Sequence, residues 1–198
     1  MAFPGYNTTD YIQWDDFKHF PATALTVSLW IKTLGRNPHS TPLSYAVSTD
    51  SKAFVLCDVN PLTICLGGGN HKTTTINLDD GFWHHLVITW ENIQGQLNIY
   101  KDGQLVNEWI GFQTSHKIPD GGTLILGQEQ GVPGGGFESN NVFDGNVRGF
   151  SIWNTVRSVD DIRRDMHATF TGNEPHLVGY WPMELLKEEG DFLSLIHI

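Results

Sequence analysis

The chain has 198 residues, 12 Lys and Arg against 22 Asp and Glu, and a formal net charge of −10. That length suits one larger domain with a full core, and 39% hydrophobic residues with seven Trp and eleven Phe exclude a disordered segment. The acidic balance argues against nucleic acid, which needs a basic face, while leaving cations and neutral sugars open; no apolar run approaches the ~20 residues that span a bilayer.

Met1 leads directly into Phe3-Pro4-Gly5, without the basic and apolar regions of a signal peptide, so none is read here. Thr26-Val-Ser-Leu-Trp-Ile31 alternates and is rich in β-branched residues. Ala53-Phe-Val-Leu-Cys57 and Leu62-Thr-Ile-Cys-Leu66 flank Asn60-Pro61 and predict a hairpin. His85-Leu-Val-Ile-Thr-Trp90 is the clearest strand. Gln96-Leu-Asn-Ile-Tyr100, Asp102-Gly103 and Gln104-Leu-Val106 form a second hairpin signal. Thr123-Leu-Ile-Leu126 and Val147-Arg-Gly-Phe-Ser-Ile-Trp153 follow. One helix is predicted. Ser158 caps it with Asp161 three residues on, Val159, Ile162 and Met166 make one apolar stripe, and it ends between His167 and Thr169. It is too short and charged for a core helix and is expected across one surface. Short strands separated by Gly, Pro and Asn imply an all-β sandwich. Residues 193–198 look like the translation of a sequencing adapter and are read as a non-native tail, leaving one domain over 1–192.

Three stretches carry more than a generic sandwich: Trp83-His-His-Leu-Val-Ile-Thr-Trp90; Leu126-Gly-Gln-Glu-Gln130 with Gly134-Gly-Gly-Phe-Glu138; and Phe143-Asp-Gly-Asn-Val147 leading to Ile152-Trp-Asn154, the helix and Leu177-Val-Gly-Tyr-Trp-Pro182. In this order they resemble the pentraxin and laminin G-like family, over nearly the whole chain. The resemblance implies a two-sheet antiparallel jelly roll of the concanavalin A-like type with one short surface helix. It also implies a non-catalytic, extracellular or secreted binding module, cut from a larger multidomain protein. Carbohydrate or another cell-surface or matrix ligand would be its partner. Val87 and Ser28 stand where the family has a cystine, so both halves are gone together.

The resemblance also implies calcium, an ion that takes six to eight oxygen ligands. Carried over by position, the ligands fall on Asp50 and Ser51 in one loop, and on Glu129, Gln130 through its main chain, Glu138 and Asn141 in another. Gly131 stands where the family has an aspartate that bridges two ions, so a two-ion site would weaken or shrink to one. Asp144 reads as a structural residue that a site could recruit. Two alternatives accompany the calcium-dependent module: an ion-independent structural adhesion module, and a glycan-cleaving enzyme of the same fold. The enzyme is disfavoured, because no Glu-x-Asp-x-x-Glu string, nucleophile elbow or metalloprotease motif occurs. His84 and His85 are adjacent in a strand and point to opposite faces, so they do not share a site.

Cys57 and Cys65 have the same parity around the Asn60-Pro61 turn and are expected on one side of adjacent strands. They are either a cross-strand disulfide, implying an oxidising compartment, or two buried free thiols. Asn7-Thr-Thr9 matches the N-glycosylation pattern. Trp30, Trp90 and Trp153 are expected in the core, and Trp109 is the Trp read as a platform for stacking on sugar.

Overall fold

The computed structural model describes residues 1–5, 9–37 and 39–183. Asn7, the end of the domain at 192 and the 193–198 tail lie outside the described residues.

The strands are β1 (Ala2–Pro4), β2 (Ile12–Phe17), β3 (Ala24–Thr33), β4 (Leu43–Val47), β5 (Asp50–Val59), β6 (Leu62–Leu66), β7 (His71–Thr73), β8 (His84–Glu91), β9 (Gln96–Lys101), β10 (Gln104–Trp109), β11 (Gly122–Leu126), β12 (Asp144–Trp153) and β13 (Leu177–Trp181); α1 is Val159–Asp165. They form two antiparallel sheets. The seven-stranded sheet runs β1-β12-β3-β8-β9-β10, with β13 also on β12, and the six-stranded sheet runs β2-β11-β4-β5-β6-β7. This is the jelly-roll sandwich expected.

Alternation explains how the sheets close on each other. Leu25, Val27, Leu29 and Ile31 of β3 and Leu86, Ile88 and Trp90 of β8 point inward. They meet Phe54, Leu56, Ile64, Leu66, Leu124 and Leu126 of the other sheet in one continuous core. The same period sends Thr26, Ser28 and Trp30 outward. Trp90 is therefore a core residue, fully buried, but the expectation for Trp30 needs correcting. Trp30 lies on the outer face, where its indole N–H donates to the Met166 carbonyl (3.0 Å) and the Arg148 guanidinium covers its ring at 5.1 Å. Trp153 is buried yet outside the main core, edge-on to Phe170 at 5.1 Å and under Arg157 at 4.2 Å. Trp109 packs partly buried against the main core and is no free platform.

Both predicted hairpins form. At Asp102-Gly103 both residues take positive φ, 53° and 74°, the conformation that matches the twist of the flanking strands. The positive φ at 103 favours glycine there, and a side chain would also have to push the flexible Met166 methyl aside. α1 has the expected start. Ser158 accepts from the Asp161 amide and Asp161 returns a bond to the Ser158 backbone. It is shorter than expected, with Met166 as C-cap. It lies across the outer face of the seven-stranded sheet, where Ile162 and Val159 pack on Val87 and Tyr100. Ser28 and Val87, the positions where the family has its cystine, are direct register partners.

β4 was not foreseen. All five of its residues are buried, with Leu43, Tyr45 and Val47 in the main core. Ser44 faces outward but lies beneath residues 127–142, bonded to Gln128 and Gln130, and that cover was invisible in the local pattern.

Candidate functional site

Residues 127–142 leave the end of β11 and fold over the outer face of the six-stranded sheet. Gln130 pins them. Its side-chain amide donates to the Ser44 carbonyl (3.2 Å), the Ser44 hydroxyl (3.0 Å) and the Thr123 carbonyl (3.0 Å), and its oxygen accepts from the Gly134 amide (2.8 Å). The Ser44 hydroxyl donates in turn to the Gln128 carbonyl at 2.7 Å. The segment then doubles back. The Gly131 amide donates to the Gly135 carbonyl (3.0 Å), and Val132 and Gly135 form a bridge. A side chain at 131 would come within 2.9 Å of the Gly136 carbonyl oxygen, a backbone atom that cannot swing away.

The segment delivers Glu129 to the start of β5. One Glu129 oxygen lies 2.7 Å from the Lys52 ammonium, and the other accepts from the Asn141 side-chain amide at 3.1 Å. Asn141 is itself held by backbone bonds, its amide to the Glu138 carbonyl and its carbonyl to the Thr41 amide. The Glu129 carboxylate holds the Lys52 proton above the ordinary lysine range, chiefly through their hydrogen bond. Asp50 is on the same strand two residues before Lys52, so both share a face. Its two oxygens accept from the Lys52 amide (2.9 Å) and the Gly68 amide (2.7 Å). The Lys52 stem passes beside Gly69 of the β6–β7 turn.

The structure therefore joins two of the residues singled out from sequence, Glu129 and Asn141, through a direct hydrogen bond. It gives Asp50 a different employment, on backbone amides. Gln130 serves as an anchor through its side chain. Glu138 is an exposed acid and Ser51 is half-buried. Asp144 is committed elsewhere, in a two-pronged pair with Arg36 at 2.6 and 2.8 Å. Among the described residues no three His, Cys, Asp or Glu side chains gather as a metal site would need. The donor set as arranged does not fit calcium. One carboxylate faces an ammonium, a second is spent on two amides, and position 131 has no room for a third.

Lys52 is the residue that sequence reasoning missed. A carry-over of oxygen donors does not look for a cation. The signal was a basic residue two positions after Asp50, on the same face if the segment is a strand.

Cys57 and Cys65 sit beside this cluster as free thiols. Cys57 pairs in register with Thr63, and Cys65 with Val55, so the two are diagonal neighbours on one face. A hydrogen bond between them pushes the Cys57 thiol up and Cys65 down, with Lys52 adding to the latter. Cys65 is buried and Cys57 half-buried.

A jelly roll that uses one sheet face and its crossing loop as a polar surface defines a concanavalin A-like binding domain. The laminin G-type profile described as "Concanavalin A-like lectin/glucanases superfamily" matches residues 6–163. The chain belongs to this pentraxin and laminin G-like family. It is 34% identical over 141 residues to the mouse Sushi, von Willebrand factor type A, EGF and pentraxin domain-containing protein 1, covering 71% of this chain and 4% of that protein. It is 34% identical over 143 residues to mouse Neuronal pentraxin-2, covering 70% of this chain and 33% of that protein. The chain thus spans a third or less of these relatives. The heptameric SAP-like pentraxin of Limulus polyphemus superposes with a TM-score of 0.72 at 24% identity, over 83% of this chain and 79% of that one.

Proposed function

We propose that this domain is a non-catalytic binding module of an extracellular multidomain protein, and that it takes carbohydrate on the polar face built by residues 127–142 and the start of β5. The observation that carries the reading is the constellation of Glu129, Asn141 and Lys52. It sets a carboxylate, an amide and an ammonium side by side on a surface whose backbone is pinned from beneath by Gln130. Such groups pair with the hydroxyls of a sugar, each of which both donates and accepts. The lectin character of the superfamily supports the same reading, as do relatives that carry pentraxin domains within longer chains. Calcium is not part of it, because the donors present do not fit the ion. Of the two alternatives raised by the sequence, the ion-independent one gains from Lys52. Catalysis gains nothing, since Glu129 faces an ammonium and Glu138 is an exposed loop acid.

The test is a glycan array probed with the chain, followed by calorimetry on the ligands it captures. Glu129→Gln and Asn141→Ala are each expected to weaken binding by about tenfold, the scale of one good hydrogen bond to a charged or amide group. Binding that both variants leave unchanged would move the ligand to another surface.

A further inference from the structure

The residues disagree with a calcium site in one particular way: a side-chain cation already stands among them. We propose that Lys52 performs within the chain what a bound divalent ion would perform at this loop, clamping residues 127–142 onto the start of β5 so that the ligand face is ordered without calcium.

Four observations converge. The Lys52 ammonium is 2.7 Å from Glu129, and the other Glu129 oxygen takes the Asn141 amide at 3.1 Å. One carboxylate thus ties together β5, the residues just after β11 and the far end of the loop. Asp50, the second acid, is satisfied by the Lys52 and Gly68 amides and needs no further cation. Gly131 has closed the loop on itself, and a carboxylate-bearing side chain there would run into the Gly136 carbonyl. Finally, the charges match. The single positive charge of Lys52 matches the single Glu129 carboxylate it touches, and a tethered ammonium supplies that without the coordination number an ion demands.

The inference rests on the proposed function only in treating this loop as the ligand-bearing one. It is tested by hydrogen exchange of the amides in residues 131–141, with β8 amides as an internal reference. The wild-type chain is expected to exchange equally in chelator and in millimolar calcium. Lys52→Met is expected to exchange about tenfold faster over this segment, with β8 unchanged, whereas Lys52→Arg keeps the protection. A wild-type loop that is protected only in calcium overturns the proposal, and that comparison needs no variant to fold. A Lys52→Met loop protected like the wild type overturns it too. Calcium-dependent order with intact glycan capture would sink this inference and spare the function. Calcium-independent order with no glycan capture would do the reverse.

Discussion

The two outer faces of the sandwich are both covered, and by opposite chemistry. On the seven-stranded sheet α1 lays Ile162 and Val159 on Val87 and Tyr100, and Arg157 pairs with Asp165 while lying over Trp153. On the six-stranded sheet the cover is a glycine-rich segment that touches the strands through Gln130, Ser44 and Thr123. An apolar seal draws its stability from buried area and close fit. A polar cover must satisfy every group it buries, and it leaves charged ends at its margin. The first face is held mainly by an apolar contact, and the second by buried hydrogen bonds that leave charged groups at its edge.

Removing the seal should break the comparison most visibly. Ile162→Ala is expected to cost about 3 kcal/mol, the usual scale for deleting a buried aliphatic side chain, read by urea unfolding. Glycan affinity measured on the folded fraction should not change.

The same face holds His85, 4% exposed, whose Nε2 meets the Ser28 hydroxyl at 2.8 Å and whose Nδ1 has no hydrogen-bond partner among the described residues. Burial pushes its pKa from 6.5 down to about 4, against the pull of Asp102 and Asp165 and helped by His167. The folded chain therefore takes up this proton later than the unfolded chain does. Its contribution is whole above pH 6.5 and is lost as pH falls towards 4, by as much as about 3 kcal/mol. Acid titration of stability should show this slope, and His85→Gln should flatten it. An unchanged slope in that variant would show that the seal admits a charge.

On the polar side, Gln130→Ala removes the bonds to the Ser44 and Thr123 carbonyls and from the Gly134 amide. A loss of about 2 kcal/mol is expected, with faster exchange confined to residues 127–142. Were α1 to loosen as well, the two covers would not be independent. The smallest effect is at the cap: Ser158→Ala should cost about 1 kcal/mol in thermal unfolding.

Much of this was legible beforehand for a definite reason. α1, its Ser158 cap and the Asp102-Gly103 turn depend on neighbours within a few residues, so local pattern suffices. Burial alternates along most of β3, whereas β4 and the middle of β8 are buried on both faces by what lies over them.

The cysteine pair shows how far local reasoning reaches. Their shared face was expected from parity, yet a regular ladder back from the Val59–Leu62 pair would set Cys57 opposite Ile64 and turn Cys65 to the other face. A bulge at Asp58, whose φ is 51°, shifts the register by one residue and brings them together. The expectation was met for a reason the parity did not contain.

By itself, then, the amino-acid sequence determined the sandwich and the helix, because periodicity, capping and turn chemistry act over short distances, while the loop that carries Glu129 and Asn141 was marked only by its resemblance to a family pattern. Only the tertiary structure decided what those side chains meet. The Lys52–Glu129 pair joins residues 77 positions apart, and the contact of Gly131 with Gly136 depends on how the loop doubles back. Charges find their partners through space, and spacing along the chain does not reveal which cation will arrive.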